Sequence, residues 1–452
     1  MKKNDYFEAE CIDLTHDGQG IVKVDDRPYF VKGMLVGEKG KLKVIKQLKT
    51  YGVARLIELY EVSSDRVEPR CPVYKQCGGC HLQHLSQEAQ QRFKQKRVQD
   101  VMKRIGKVDC VVNKTLIQDD PWFYRNKVQM PVGYVNGVLE TGFYKQHSND
   151  IIPTKECFIQ NHPSNALVNK VKELMIEYGV EPYDKLTGKG TVRHILTKYG
   201  FKTNELMLVL ITNKDYFKYK EEFICELTKT FPNLKTIVQN INTRRDNVIL
   251  GEEEKVWYGK GYIQDVLNDL TFNISSKSFY QINPPQVEVL YNKAIELADI
   301  QPTDVVIDAY CGIGTISLCM AKSAKKVIGV EIVEQAIQDA KKNAEINHID
   351  NVEFLVGDAA EYMSQLADQK KHIDVVMVDP PRKGCSTVFL DAVVKLDPRK
   401  FVYISCDPST QARDVAYLSQ FGYKIVGACQ PVDLFAQTYG IENILQLSKD
   451  NG

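Results

Sequence analysis

From about residue 270 onward, apolar segments of strand type alternate with helical segments, and no other feature constrains the fold as strongly. Strands separated by helices pair in parallel, so this half of the chain predicts an open α/β sheet with helices on its faces. A strand at residues 401–404 ends at Ser405-Cys406-Asp407-Pro408, where the proline stops it. Cys406 is therefore expected at the carboxyl end of a strand, where open α/β sheets bind their ligands.

Other strand ends in this half carry residues suited to a nucleoside cofactor. In "DAYCGIGT", Gly312 and Gly314 let a ligand approach the backbone closely. Glu331 ends the second strand, where an acid can bind ribose hydroxyls, and Asp358 follows the third, where it suits an adenine amino group. The turn lacks the third glycine of the dinucleotide fingerprint, which favours S-adenosylmethionine over NAD.

A nucleophile and a base can be named from the remaining strands. The fourth strand leads into Asp379-Pro380-Pro381-Arg382, so Asp379 and Cys406 are expected at neighbouring strand ends. A thiolate there can add to C6 of uracil and make C5 nucleophilic toward a methyl group. A base must then remove the C5 proton, and Glu442 lies in an apolar setting that would raise its pKa.

The first 60 residues contain short alternating runs separated by glycine and Asp-Asp turns, which predict a small β-barrel of the oligonucleotide-binding kind. The net charge of the whole chain is only +1, so a nucleic-acid surface must come from local patches. Between Arg27 and Arg55 there are eight basic residues and one acid, Glu38, interleaved with aromatic residues. This pattern fits a nucleic-acid surface as well as it fits a solvated lysine face.

Three cysteines follow the barrel in the pattern Cys71-x5-Cys77-x2-Cys80, which indicates one soft metal centre with Cys157 as the best-placed fourth ligand. A zinc site and a [4Fe–4S] cluster both remain open, although the five-residue gap is long for zinc and favours iron–sulfur. No signal peptide and no apolar run of membrane length is recognised, so a cytoplasmic location is expected. In that compartment the 12 cysteines should form no disulfide framework.

A helix is predicted from Ser86, its N-cap, to a stop at Gly106. From Arg92 to Lys107 it carries seven basic residues and one acid, Asp100, which favours a contact with RNA. Residues 108–260 predict an α+β module without a catalytic motif. Its polar strand residues, including the pair at 125–126, either line a substrate cleft or pair within the sheet.

Together these segments resemble the bacterial RNA (uracil-5-)-methyltransferases in their larger ribosomal-RNA form. The resemblance spans nearly the whole chain and rests on the cysteine set and on "SFYQINPPQ", "DAYCGIGT", "DPPRKG" and "SCDPST". It implies a TRAM barrel, a [4Fe–4S] cluster, S-adenosylmethionine as methyl donor and 23S ribosomal RNA as substrate. The residues that it implies are Gln281, Tyr310, Glu331 and Asp379 at the methyl donor, Cys406 as nucleophile, Glu442 as C5 base, and Cys71, Cys77, Cys80 and Cys157 as cluster ligands.

The sequence departs from the family's pattern just before Glu442. The family usually has F-P-x-T-x-H-x-E, whereas residues 435–442 read "FAQTYGIE", without the proline and the histidine. A supporting role for that histidine therefore cannot be transferred to this chain. Asp407 also stands where an asparagine is common.

Three other functions compete with the ribosomal-RNA enzyme. A transfer-RNA (uracil-5-)-methyltransferase is expected to be shorter and to lack both the barrel and the cluster. An amino-group methyltransferase would have an aromatic residue where Arg382 stands. An RNA-binding protein with an inactive domain is disfavoured because Asp379, Cys406 and Glu442 are all present.

The predicted organisation has three parts. Residues 1–60 form the RNA-binding barrel, 61–265 a central α+β domain with the iron–sulfur site and the basic helix, and 266–452 a Rossmann-like α/β methyltransferase domain. RNA is the expected partner. Neither a membrane nor an obligate protein partner is indicated, and a monomer is expected.

Overall fold

The computed structural model describes residues 1–449. Its first five strands form a closed barrel in the order β1-β2-β3-β5-β4, which confirms the predicted N-terminal barrel. Apolar residues such as Val22, Tyr29 and Leu42 fill its interior. The strands are β1 (Tyr6–Leu14), β2 (Gly20–Val24), β3 (Arg27–Val31), β4 (Lys39–Gln47) and β5 (Gly52–Glu61).

Helix α1 (Gln87–Val101) begins where the sequence predicts, because the Ser86 side chain accepts a hydrogen bond from the Ala89 amide. The helix continues as one π-helical turn (Met102–Gly106), which ends at the expected glycine, and strand β6 (Val111–Val112) follows. Lys94 of α1 is fully buried, and its Nζ lies 2.6 Å from Asp433 Oδ1. Lys94 is therefore not part of the basic RNA surface predicted for this helix.

The central region forms a seven-stranded sheet in the order β13-β12-β11-β10-β7-β8-β9. Leucine, valine and isoleucine side chains dominate these strands, and two helices cover them. The elements are β7 (Lys127–Val135), β8 (Val138–Tyr144), β9 (Ile151–Pro153), α2 (His162–Glu177), β10 (Val192–Tyr199), β11 (Leu206–Thr212), α3 (Lys220–Thr230), β12 (Leu234–Ile241) and β13 (Glu253–Gly259).

A two-stranded hairpin, β14 (Tyr262–Leu267) and β15 (Leu270–Ser275), leads into a nine-stranded sheet in the order β18-β17-β16-β19-β20-β23-β22-β6, with β21 paired to β23. The first five of these strands are parallel, as predicted from the strand–helix alternation. The elements are α4 (Pro284–Ala298), β16 (Val305–Ala309), α5 (Thr315–Ala321), β17 (Lys326–Glu331), α6 (Glu334–Ile346), β18 (Val352–Val356), α7 (Ala359–Asp368), β19 (Val375–Val378), α8 (Thr387–Leu396), β20 (Lys400–Ser405), α9 (Pro408–Ser419), β21 (Tyr423–Ile425), β22 (Ala428–Val432) and β23 (Glu442–Lys449).

The central and C-terminal parts are joined by packing and by strand pairing. Leu196 and Met207 of the central sheet belong to the same buried apolar cluster as Leu290 of α4 and Ile316 of α5. Strand β6, which lies within the predicted central domain, pairs in parallel with β22 at the edge of the C-terminal sheet. The nine-stranded sheet therefore depends on residues from both sides of the predicted domain boundary.

Across residues 1–449, no helix combines the length and the apolar character required to cross a membrane.

The buried Lys94–Asp433 pair gives a stability prediction. Lys94→Met leaves Asp433 buried without a counter-charge, so we expect it to cost about 3 kcal/mol of unfolding free energy and to lower the thermal unfolding midpoint measured by circular dichroism. The matched control is Lys96→Met on the same helix, since Lys96 pairs in solvent with Asp13 and Asp100 and its loss should cost less than about 1 kcal/mol. The double variant Lys94→Met, Asp433→Leu should recover much of the loss. An unchanged midpoint in Lys94→Met would contradict the assignment.

Candidate active site

Cys406 lies in the tight turn between β20 and α9. The Ser405 hydroxyl donates to the Asp407 carbonyl and accepts from the Asp407 amide, both at 3.1 Å. Asp407 in turn caps α9, because its side chain accepts a hydrogen bond of 2.9 Å from the Ser409 amide. These bonds fix the backbone on both sides of the thiol. The predicted position of Cys406 at a strand end is confirmed.

Asp379 follows β19, the strand next to β20, so it lies beside Cys406 at the same edge of the sheet. The Gln281 amide donates to its Oδ2 at 3.3 Å. Asn126 lies directly before β7. Its side-chain amide donates to the Gln281 carbonyl at 2.8 Å, and its backbone amide donates to the Ile282 carbonyl at 3.0 Å. Asn126 is thus a supporting residue of this site, and its carbonyl also accepts a hydrogen bond of 2.8 Å from the Tyr199 amide at the end of β10. Its side chain supports the site while its backbone pairs with the central sheet.

Glu442 is the first residue of β23 and pairs with Val432 at the end of β22. Its side chain is only 2% exposed, and Oε2 has no hydrogen-bond partner. A buried carboxyl oxygen without a partner destabilises the fold, because desolvation of the ionised form is not compensated. Such a group therefore suggests a functional reason for its retention. Glu442 shares this property with Asp308, whose Oδ1 is also buried without a partner.

Burial and mutual repulsion raise the pKa values of these three groups. Burial, supplemented by the charges of Glu442 and Asp379, raises the pKa of Cys406 to about 12. Burial raises the pKa of Asp379 to about 7, and burial together with the charge of Asp379 raises the pKa of Glu442 well above its ordinary value. The Arg382 guanidinium acts in the opposite direction on Cys406 and Glu442. Clustered groups with perturbed pKa values are typical of catalytic sites.

A second part of the site surrounds the glycine turn after β16. Gly312 has φ +55° and open space where a Cβ would lie, so a ligand can reach its backbone. The Glu331 carboxylate accepts from the Gly312 amide at 3.3 Å and from the Val333 amide at 3.0 Å, which holds it at the tip of β17. Tyr310 adopts a left-handed conformation with φ +71°, rare for an aromatic residue and typical of functional turns.

Asp308 supports this turn from below. It is buried at the end of β16, where burial raises its pKa to about 7 and the hydroxyl of Ser317 in α5 donates a hydrogen bond to it. Gly314, with φ +81°, is tightly enclosed, because a Cβ there would lie 2.7 Å from the Phe354 ring. The turn is therefore rigid on the protein side and open toward the ligand.

Asp358 is placed at the tip of β18, but its carboxylate is already engaged. Its Oδ1 accepts hydrogen bonds from the Ala360 amide at 2.8 Å and the Glu361 amide at 3.1 Å, which makes it the N-cap of α7. Only Oδ2 is available for the predicted contact with an adenine amino group.

The four predicted metal-binding cysteines, Cys71, Cys77, Cys80 and Cys157, line one cavity of about 340 Å³. Within residues 1–449, no group of three or more histidine, cysteine, aspartate or glutamate side chains is arranged to hold a metal ion. The geometry therefore gives no direct support for a metal centre. Burial raises the pKa of both Cys80 and Cys157 to about 12, and the nearby thiols of Cys77 and Cys71 act in the same direction.

Comparison with known proteins identifies the kind of protein that shares this arrangement. A family described as tRNA (Uracil-5-)-methyltransferase matches residues 203–450. An uncharacterized RNA methyltransferase of Listeria monocytogenes is 48% identical over 99% of this chain and 98% of its own length. A second uncharacterized RNA methyltransferase, from Halalkalibacterium halodurans, is 48% identical over 100% of this chain and 98% of its own length.

Among solved structures, the chain is similar to the tRNA (uracil-54, C5)-methyltransferase of Pyrococcus abyssi, crystallised with S-adenosyl-L-homocysteine. The two share 26% sequence identity and a TM-score of 0.78, and the match covers 97% of this chain and 99% of the archaeal one. Because the match covers 97% of this chain, it includes the N-terminal barrel. The expectation that a transfer-RNA enzyme lacks this barrel is therefore wrong for the archaeal enzyme.

The pKa of Asp379 predicts how the reactivity of Cys406 changes with pH. At pH 8.5 Asp379 is ionised, and its negative charge disfavours the Cys406 thiolate. In the Asp379→Asn variant, Cys406 should therefore be alkylated faster, by about tenfold for each unit by which the thiol pKa falls. At pH 5.5 Asp379 is largely protonated, and the variant and the unmodified protein should react at similar rates. Arg382→Gln should slow the reaction, since a favourable positive charge is lost.

The measurement is peptide mass spectrometry after timed iodoacetamide treatment. The exposed thiol of Cys225 serves as an internal control in every sample. Equal rates for Asp379→Asn and the unmodified protein at pH 8.5 would show that the two groups do not interact.

Proposed function

This chain belongs to the S-adenosylmethionine-dependent RNA (uracil-5-)-methyltransferase family, and we propose that it methylates C5 of specific uridines, with 23S ribosomal RNA as its substrate. The observation that carries the proposal is the group formed by Asp379, Cys406 and Glu442. It combines a nucleophile, a buried base and a carboxylate at one sheet edge, beside an open glycine turn.

In the proposed reaction, Cys406 adds as a thiolate to C6 of the uracil ring, and the resulting enolate makes C5 nucleophilic. S-adenosylmethionine would supply the methyl group to C5, with its S–CH3 bond breaking to leave S-adenosyl-L-homocysteine. The residues that would hold it are Gln281, Tyr310, Gly312 and Glu331. The fit rests on the open space at Gly312 and on the fixed carboxylate at Glu331.

The raised pKa values fit this order of events. Because the pKa of Cys406 is about 12, its thiolate form is scarce in the free protein. The positive sulfonium of bound S-adenosylmethionine would favour the thiolate. Glu442 has an oxygen with no partner, and because its pKa is raised, its ionised form is a stronger base for the C5 proton after methyl transfer. Loss of that proton drives elimination of Cys406 and releases the methylated RNA. The target base must leave its stack to reach these groups.

The proposed RNA surface includes the N-terminal barrel, which we interpret as a TRAM domain. Tyr6 is 55% exposed, and the Lys41 and Lys43 ammonium groups lie 5.4 and 5.3 Å from its ring centre. An exposed aromatic ring beside lysines can stack on a base while the cations contact phosphates.

Transfer RNA is the second candidate substrate. It is favoured by the likeness to the archaeal tRNA (uracil-54, C5)-methyltransferase over nearly the whole chain, barrel included. The ribosomal substrate rests on the family resemblance of the sequence motifs.

We further propose that Cys71, Cys77, Cys80 and Cys157 bind a [4Fe–4S] cluster. The four thiols line the wall of one cavity and would be the ligands of a cluster bound there, since thiolates are the usual ligands of such clusters. Arg125 and Lys127 line the same cavity and would offset the negative charge of four thiolates. The proposed role of the cluster is structural.

The function is tested by incubating the protein with labelled S-adenosylmethionine and either a 23S rRNA fragment or a transfer RNA, followed by nucleoside mass spectrometry. We expect 5-methyluridine in the ribosomal fragment and its complete loss in Cys406→Ala. Methylation of the transfer RNA alone would select the second candidate. No 5-methyluridine in either RNA would support the inactive RNA-binding alternative.

The cluster proposal predicts a metal-content result. Anaerobically purified protein should contain about four iron atoms per chain, and Cys80→Ser should lose most of them along with the visible absorbance. Cys225→Ser, which alters an exposed cysteine outside the cavity, should retain full iron. A stoichiometric zinc content, or equal iron in both variants, would exclude a [4Fe–4S] cluster at these cysteines.

A further inference from the structure

The segment between β22 and β23, residues 433–441, forms a hairpin loop directly before the catalytic base candidate, Glu442. Glu442 Oε2 has no hydrogen-bond partner, so the orientation of this side chain depends on the backbone at Glu442. The residues that fix the conformation of this hairpin loop therefore influence where the carboxylate points.

Elements from the N-terminal half of the chain hold the tip of the hairpin loop. The backbone amides of His81 and Leu82 both donate to the Gln437 carbonyl, at 2.9 and 3.0 Å. Gln90 of α1 makes two bonds to the same residue: its Oε1 accepts from the Gln437 amide at 3.1 Å, and its Nε2 donates to Gln437 Oε1 at 3.2 Å. Gln437 is 4% exposed and left-handed, with φ +69°.

Three further residues from the N-terminal half make four hydrogen bonds to the rest of the hairpin loop. Lys94 Nζ donates to Asp433 Oδ1 at 2.6 Å and to the Phe435 carbonyl at 3.3 Å. The Arg97 guanidinium donates to the Tyr439 carbonyl at 2.5 Å, and the Tyr124 hydroxyl donates to the Ala436 carbonyl at 2.9 Å.

Most of these bonds reach main-chain carbonyls rather than side chains. The hairpin loop is therefore held mainly through its backbone, and its shape does not depend on the proline and histidine of the family pattern, which this sequence lacks at positions 436 and 440. What the conformation does require is a residue that tolerates a left-handed backbone at 437 and a partner at position 90.

We propose that Gln437 and Gln90 are positioning residues for the proton-abstraction step, an inference that rests on the proposed function. The hairpin loop leads directly into Glu442 at the start of β23, whereas Cys406 and Asp379 follow the separate strands β20 and β19. Loosening the loop should therefore slow removal of the C5 proton and leave addition of the thiolate and methyl transfer nearly unchanged. The methylated RNA should then remain bonded to Cys406, because elimination needs that proton to leave.

The test compares Gln90→Leu with Gln95→Leu in single-turnover reactions on the RNA that the unmodified protein methylates. Gln95 lies on the same helix but donates to the Val112 carbonyl, outside the hairpin loop, so it controls for changes to α1. Gln90→Leu should release product about tenfold more slowly, the equivalent of about one hydrogen bond, and a methylated protein–RNA adduct should accumulate on denaturing gels. Gln95→Leu should do neither.

A second readout does not depend on activity. In Gln90→Leu, the amides of residues 437–441 should exchange with deuterium faster than in the unmodified protein, and those of 402–405 at the same rate. Faster exchange without adduct accumulation would mean that the contact is only structural. Slower adduct formation would mean that the hairpin loop supports Cys406 rather than Glu442. Either outcome overturns the inference.

Glu442→Gln separates failure of the inference from failure of the proposed function. If Glu442→Gln traps the adduct and Gln90→Leu does not, only the positioning role is lost. If neither the unmodified protein methylates RNA nor Glu442→Gln traps an adduct, the proposed function itself is wrong.

Discussion

Desolvation of three ionisable groups at one sheet edge is the constraint on which the site depends. Asp379, Cys406 and Glu442 end or begin neighbouring strands, and burial raises the pKa of each. In water the thiol and the carboxyls would titrate independently, but at this edge the charge of one group changes the proton affinity of the others. The proposed nucleophile and base, which would act in sequence on one ring, can be coupled in this way. The cost of burying them has to be met by the surrounding fold.

The N-terminal half contributes much of that support. The central sheet shares a buried apolar cluster with helices α4 and α5, and β6 extends the catalytic sheet at its edge. Asn126 holds the backbone at Gln281, while α1 places a buried ammonium group, Lys94, against Asp433. A pair buried this deeply is stable only with both partners present, so α1 and the hairpin loop before Glu442 are locked together.

Much of this architecture could be predicted from the sequence, because local signals were strong. Alternating runs predicted the barrel, Ser86 predicted the start of α1, and strand ends with Pro or Gly turns predicted where Cys406, Asp379 and Gly312 lie. The missed features depend on contacts distant in the sequence. Nothing local distinguishes Lys94 from its solvated neighbours, since its partner lies more than 300 residues away. The sequence predicts that Asp358 contacts an adenine amino group, but its Oδ1 already accepts a hydrogen bond from the Ala360 amide as the N-cap of α7.

The most direct test of the central claim, covalent addition of Cys406 to the uracil ring, uses 5-fluorouridine RNA. Fluorine at C5 cannot leave as a proton does, so elimination is blocked and the intermediate is trapped. The protein would be incubated with this RNA and S-adenosylmethionine and analysed by denaturing mass spectrometry, with Cys406→Ala as the control. We predict one adduct of protein, RNA and a single methyl group, mapped to Cys406 and absent from the control. Methylated RNA without any adduct would contradict the nucleophilic role of Cys406.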